Sequence, residues 1–202
     1  KTILKFNSMK NKTLWIVLAI VAVVVIWGIS SYNGLVNKQE GVATAWSNVE
    51  TQYQRRADLI PNLVNTVKGY AQHERATLAE VTDARTRATS INLDVADLTP
   101  ETLAEFQRAQ AEVGSALGRL IAVAESYPDL KANQNFLEFQ SQIEGTENRI
   151  GVARQNYNTA AMEYNRSIRR FPTNILAGMF GFDRKPLFEA NEGSQNAPTV
   201  EF

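Results

Sequence analysis

From Thr13 to Asn37 the chain carries no charged side chain, and Leu14 to Ile29 is built of apolar residues and Gly28 alone. A helix that is apolar on every side, over this length, is rare outside a bilayer. Rising about 1.5 Å per residue, Leu14 to Tyr32 covers roughly 28 Å, close to the thickness of a membrane's hydrocarbon core. Trp15, Trp27 and Tyr32 stand near the two ends, where aromatic rings favour the interface between lipid and water. The run therefore predicts a transmembrane helix over residues 13–32. A cleaved secretory signal competes with this reading, because lysines also precede such signals. Its apolar core is normally shorter, however, and Gly28 to Ser31 makes a poor cleavage site. The absence of cysteine excludes a lipoprotein signal.

Flanking charge gives an orientation. Lys1, Lys5, Lys10 and Lys12 precede the run, whereas Lys38 is the one cation in the stretch that follows it closely. By the positive-inside rule the N-terminus is expected in the cytoplasm and the body of the chain on the far side. Arg55 and Arg56 lie just beyond the window that counts, and a cytoplasmic body is the alternative. Met9 followed by a short basic stretch resembles a translation start. Residues 1–12 are therefore read as a basic leader, with residues 1–8 kept out of the fold reasoning.

Beyond the run the pattern is helical. Val42, Trp46, Val49 and Tyr53 recur every three or four residues, predicting a first helix that leaves the membrane without a break. A second is expected to begin near Pro61, a residue suited to a first helical turn, and to carry Leu63, Val67, Tyr70, Leu78 and Val81 before Asn92 to Pro100 ends it. The third opens with Thr99 as N-cap and Pro100 in the first helical position. Thr102 stands where a complete capping box would call for Glu or Gln. It buries Leu103, Phe106, Val113, Leu117, Leu120 and Ile121 and stops at Tyr127 to Asp129. The fourth runs from about Asn133 to Arg170 on a stripe of Phe136, Phe139, Ile143, Ile150, Tyr157, Tyr164 and Ile168. Strand signals are nearly absent. The expected fold is all-α: a transmembrane helix followed by an antiparallel bundle of four long helices over residues 33–172.

Past Pro172 the chain changes character. Ile175, Leu176, Met179, Phe180 and Phe182 form a compact apolar segment within residues 173–188, and a polar tail, expected to be flexible, fills 189–202. The apolar segment needs a cover. It can fold back on the bundle, or meet a neighbouring subunit or the membrane surface.

Little in the chain points to catalysis. The 21 basic and 21 acidic residues cancel and are interleaved, so no field or phosphate-tracking stripe draws nucleic acid. Cysteine chemistry is excluded, and His73 alone, in a surface-like Gln-His-Glu-Arg run, cannot supply the usual metal and acid–base sites. Nucleophile elbow, Walker loop and dinucleotide fingerprint are all missing. Glu144 and Glu147 share a helix face one turn apart, a spacing that can hold a metal. The Glu-x-x-His pairs of di-metal bundles are absent. A structural polar ladder is the better expectation, joining Glu144, Glu147 and Asn148, with Arg149 near, to Arg55 or Arg56 across the bundle.

Several strings resemble the LemA family: Gln54-Arg55-Arg56-Ala57-Asp58-Leu59-Ile60-Pro61-Asn62-Leu63-Val64, Val67-Lys68-Gly69-Tyr70-Ala71, Tyr127-Pro128-Asp129-Leu130-Lys131-Ala132-Asn133 and Glu144-Gly145-Thr146-Glu147-Asn148-Arg149-Ile150. Tyr157-Asn158, Tyr164-Asn165 and Phe171-Pro172 extend the likeness, which spans about Tyr32 to Phe188. The resemblance implies a bacterial single-pass membrane protein with an elongated helical-bundle domain. It implies no activity.

The expected function is that of a non-enzymatic scaffold or structural protein of the bacterial envelope. It is placed in the inner membrane, without cofactor, and works by homo-oligomerisation, since tethering raises effective concentration and lets weak contacts assemble. Its expected partners are membrane lipid and further copies of itself. The alternative is an adaptor or regulatory module for another envelope protein.

Overall fold

The computed structural model describes residues 2–71 and 73–189, with only the backbone for residues 2–13. The lysine side chains of the leader and the polar tail beyond Glu189 lie outside the described residues. Six α-helices follow in order: α1 (Thr2–Tyr70), α2 (Arg75–Ser90), α3 (Pro100–Ala124), α4 (Pro128–Lys131), α5 (Gln134–Arg169) and α6 (Thr173–Phe180), with a short 3₁₀ turn at Val95–Asp97. The protein is all-α, and no strand occurs among the described residues.

The sequence pattern places a helix start at Pro61, but α1 continues through it. The expected second helix is therefore divided. Leu63, Val67 and Tyr70 belong to α1, Leu78 and Val81 to α2, and the break falls at the turn that holds His73. The physical reason is local. Proline has no N–H, so the carbonyl four residues back loses its helical donor. That carbonyl belongs to Ala57, a buried residue, and the guanidinium Nε of Arg85 on α2 donates to it at 2.8 Å. A side chain from the neighbouring helix thus replaces the missing backbone bond.

The start of α3 also differs from expectation. Thr102 completes the capping box in place of Glu or Gln: its N–H donates to Thr99 Oγ1 at 3.2 Å, and its own Oγ1 accepts from the Thr99 N–H at 2.9 Å. A hydroxyl suffices because both groups are short and already in reach. At the start of α5, Asn133 Oδ1 accepts from the Phe136 N–H at 3.1 Å, satisfying one of the orphan donors of a helix N-terminus.

The described chain divides into two compact units. One comprises Val42–Met162 with the chain from Lys185 onward. Its register follows from paired contacts. Trp46 meets Tyr157, Arg56 meets Glu147 and Tyr70 meets Asn133, so each step up α1 is matched by a step down α5. Arg87 with Glu112 and Glu80 with Arg119 pair α2 and α3 in the same antiparallel sense. The shared core is built from Ile60, Leu63 and Val67 of α1, Val81 and Ala84 of α2, Val113, Leu117 and Leu120 of α3, Leu130 of α4, and Phe136 and Ile143 of α5. Its upper layer is aromatic: Trp46 packs against Phe106 and Tyr157 with ring centres 5.5 Å away in each case. The Trp46 indole N–H donates to the Leu93 carbonyl at 3.1 Å.

The other unit holds α1 up to Gly41 and Glu163–Arg184. Leu35, Tyr164, Ile168 and Ala177 are buried within it, and Lys38 lies 4.0 Å from Glu163. The left-handed backbone of Gly181 (φ 71°) ends α6, with the N–H groups of Gly181 and Phe182 both donating to the Ala177 carbonyl. Only glycine takes that conformation without strain. In the apolar stretch of α1, Leu14, Trp15, Ile16, Val17, Leu18, Ile20, Val21 and Val23–Ile26 are 49–71 % exposed. It is the one helix among the described residues long and apolar enough to cross a membrane.

Candidate functional site

The most polar part of the bundle interior centres on Arg56. Its position on α1 is set by the same three-to-four spacing that buries Val49, Tyr53 and Ile60, so its stem lies in the core and the residue is 3 % exposed. A buried guanidinium requires partners. Nη1 donates to Glu147 Oε1 of α5 at 2.7 Å, while Nη2 donates to the backbone carbonyl of Gln110 on α3 at 2.9 Å and to its side-chain Oε1 at 2.5 Å. The guanidinium also lies over the Tyr53 ring, 5.1 Å from its centre. Burial pushes the Tyr53 hydroxyl above its ordinary pKa, against the pull of Arg154 and Arg56.

This arrangement brings together two residues of the expected ladder and leaves out the rest. Arg56 and Glu147 form the pair. Arg55 is exposed, Glu144 is exposed and accepts from Gln140, Asn148 is exposed, and Arg149 turns to the hydroxyl of Thr146 at 3.0 Å. The reason is angular. At 3.6 residues per turn, Ile143, Ile150 and Tyr157 lie about 40–80° to one side of Glu147 and mark the buried face of α5, whereas Glu144 and Asn148 lie about 60° and 100° to its other side, toward solvent. Gln110 was not legible as a partner. A glutamine among apolar positions at helical spacing is the signal that would have found it.

An open groove of about 960 Å³ lies beside the pair, lined among others by Glu50, Arg55, Arg56, Arg85 and Gln110. Burial, helped by nearby Asp94, raises the pKa of Glu50, while a hydrogen bond from Trp46 opposes the rise. The donors of Arg56 named above are directed at protein acceptors, and Nε of Arg85 is spent on the helix of Pro61. Glu147 is half-exposed, with 43 % of its side chain open to solvent. His73 is exposed in the turn between α1 and α2. Among the described residues no three His, Asp or Glu side chains group closely enough to hold a metal ion. The cluster can fix the mutual register of α1, α3 and α5; it offers no nucleophile poised beside a base.

The apolar C-terminal residues lie in two places. In the unit that holds α6, the rings of Phe180 and Phe182 meet the edge of Tyr32 at 5.0 and 5.6 Å. Leu176 and Phe182 are half-buried there, while Ile175, Met179 and Phe180 are exposed. In the other unit, residues 185–189 form a strap. Asn158 holds it on both sides, its Nδ2 donating to the Phe188 carbonyl at 3.0 Å and its Oδ1 accepting from the Phe188 N–H at 2.8 Å. Tyr157 donates its hydroxyl to the Pro186 carbonyl at 3.0 Å, Lys185 reaches the Val95 carbonyl at 2.8 Å, and the Phe188 ring stacks on Trp46. Burial pushes the Tyr157 hydroxyl up to a pKa of about 12.

The family model described as the LemA family matches residues 45–202, which takes in the bundle and the strap. The chain belongs to the LemA family. Protein LemA of Metamycoplasma hominis is 29 % identical over 160 residues, covering 79 % of this chain and 69 % of that protein. Magnetosome protein MamQ 2 of Paramagnetospirillum magneticum is 30 % identical over 175 residues, 78 % of this chain and 64 % of the relative. Magnetosome protein MamQ of Magnetospirillum gryphiswaldense is 28 % identical over 176 residues, with the same coverage of each chain. The chain thus spans slightly less than two thirds of the MamQ proteins it matches. Arg56, Gln110, Glu147, Asn158 and Phe188 all fall within the LemA region. Together with the apolar stretch of α1, family membership makes this a membrane-associated helical protein.

Proposed function

We propose that this member of the LemA family is a non-enzymatic scaffold, anchored by α1 in the bacterial inner membrane, that works by associating with further copies of itself. One observation carries the reading: the helix that bears the bare apolar stretch is the same helix that supplies Trp46, Tyr53 and Arg56 to the core of the bundle. Confinement to a surface raises the effective concentration of each copy for its neighbours. The inward-directed polar cluster supports a structural role over a chemical one. Relatives named for the magnetosome, a structure and not a reaction, support it as well. The lysines of the leader support a cytoplasmic N-terminus with the bundle on the other side.

The test is the mass of the full chain extracted in mild detergent, measured by light scattering with the detergent share subtracted. A protein mass several times 22.5 kDa is expected. A monomer at every concentration refutes self-association. The open groove beside Arg56 favours a second reading, an adaptor for another envelope protein, which predicts that monomer together with an unrelated protein retained in fixed ratio.

A further inference from the structure

We infer that α6 and the residues just before it form a second membrane contact: an interfacial helix that lies in the headgroup region of an anionic lipid surface. The inference rests on α1 being a membrane anchor and assigns to the C-terminal apolar segment a partner that the anchor alone does not require. The first observation is position. Phe180 and Phe182 pack edge-on against Tyr32, and Tyr32 stands three residues past Ile29, where the fully apolar run ends, about 4.5 Å further along the helix axis. The segment is therefore held at the level where α1 leaves the hydrocarbon, at the depth that aromatic side chains prefer.

The second observation is the face that α6 leaves bare. Ala177 is buried, and so fixes which side turns inward. Phe171, Ile175 and Met179, spaced four apart, are 77, 54 and 72 % exposed, and Phe180 is 56 % exposed. Three of these side chains lie on the two turns of α6 and Phe171 just before it, and with so little cover they form a patch that water does not favour. The helix has eight residues, too few to span a bilayer but enough to lie along its surface with an apolar face buried among headgroups and acyl chains.

The third observation is charge. Across residues 163–184 the chain carries Arg166, Arg169, Arg170 and Arg184 against Glu163 and Asp183, a surplus of two positive charges, with no carboxylate between Tyr164 and Phe182. Between Glu40 and Glu163 acids and bases are interleaved. A local surplus of arginine beside a bare apolar face matches a surface of lipid phosphates, each basic residue near such a surface contributing on the order of 1 kcal/mol. A second copy of the protein would bring the same cations face to face and is disfavoured at this patch.

The test uses the absence of cysteine. Single variants Met179→Cys, Val21→Cys and Val152→Cys of the full chain, each carrying a polarity-sensitive fluorophore, are placed in nanodiscs made with anionic or with zwitterionic lipid. The expected result is that the Met179→Cys label loses quenching by aqueous iodide and gains quenching by bromine atoms on the upper acyl chain, more fully in anionic nanodiscs. The Val21→Cys label should be deep in lipid and the Val152→Cys label, on the outer face of α5, open to iodide. If the Met179→Cys label stays open to iodide while Val21→Cys is deep, the interfacial helix is refuted and the anchor stands. An iodide-accessible Val21→Cys label refutes both. Protection of Met179→Cys from iodide without quenching by brominated lipid means that protein covers the patch, and overturns the inference in favour of a second copy.

Discussion

Arg85 should be needed because Pro61 is present. In α1 the proline leaves the Ala57 carbonyl without its helical donor, and the guanidinium Nε of Arg85 supplies the bond at 2.8 Å. Arg85→Met keeps the stem and removes the donor, so packing changes little and the carbonyl of a buried residue is orphaned. A hydrogen bond from a charged group contributes about 1.5–3 kcal/mol, and an unsatisfied buried acceptor costs a similar amount. A loss of about 2 kcal/mol is expected, or roughly 4–8 °C in Tm at 2–4 °C per kcal/mol for a domain of this size. In a Pro61→Ala background the backbone N–H returns, and Arg85→Met should then cost no more than an ordinary surface change, about 0.5 kcal/mol. The coupling between the two sites is therefore about 1.5 kcal/mol. Pro61→Ala alone should stabilise, by less than the ~3 kcal/mol that separates proline from alanine inside a helix, because Arg85 already repairs the break and the unfolded chain gains freedom. Thermal melts followed by circular dichroism at 222 nm on the four full-length proteins in detergent give the cycle. If Arg85→Met costs the same in both backgrounds, the reasoning is wrong.

The polar centre behaves in a related way. Arg56→Met strands the side chain of Gln110 and should cost about 1–3 kcal/mol, and Gln110→Leu added to it should return most of that loss, since a satisfied apolar core replaces a half-satisfied network; simple additivity in the same melts would refute the shared role. Tyr157 makes stability depend on alkaline pH. Its pKa is raised in the folded state to about 12 from an ordinary 10, so its contribution is complete below pH 10 and is lost as pH rises from 10 towards 12, while the unfolded chain ionises first. Absorbance of tyrosinate at 295 nm should show a late-titrating group that Tyr157→Phe removes, and an unchanged late phase in that variant would show that another tyrosine is responsible.

What could be read from the chain alone depended on how local the signal was. The apolar run, the three-to-four spacing through Val42, Trp46, Val49 and Tyr53, and the starts of α3 at Pro100 and of α5 just after Asn133 each arise within a few turns of helix, and each was legible. Pro61 misled because its usual place in a first turn is a statistical preference, whereas its tolerance here depends on an arginine 28 residues beyond Ala57, whose carbonyl it takes over. The polar centre was half legible for a similar reason. Helical spacing brings Glu147 beside the inner face of α5, and the stripe of Val49, Tyr53 and Ile60 selects Arg56 over Arg55, a choice the expected ladder left open. Gln110 became visible only when α3 was packed beside them. The strap was hidden altogether, since an extended stretch such as Lys185-Pro186-Leu187-Phe188 has no periodicity to read.

That strap sets an order of events during synthesis. Trp46 leaves the ribosome among the earliest residues of the bundle, yet the ring that stacks on it, Phe188, is 142 positions later in the chain. Helices can form and pair as they emerge, but the aromatic layer formed by Trp46, Phe106 and Tyr157 stays uncovered until the chain has been made as far as Phe188. A chain cut after Arg184 would retain every helix described above and still lack the piece that closes the core, so a boundary drawn at the last helix would leave the nascent aromatic layer as a site for chaperones and for aggregation.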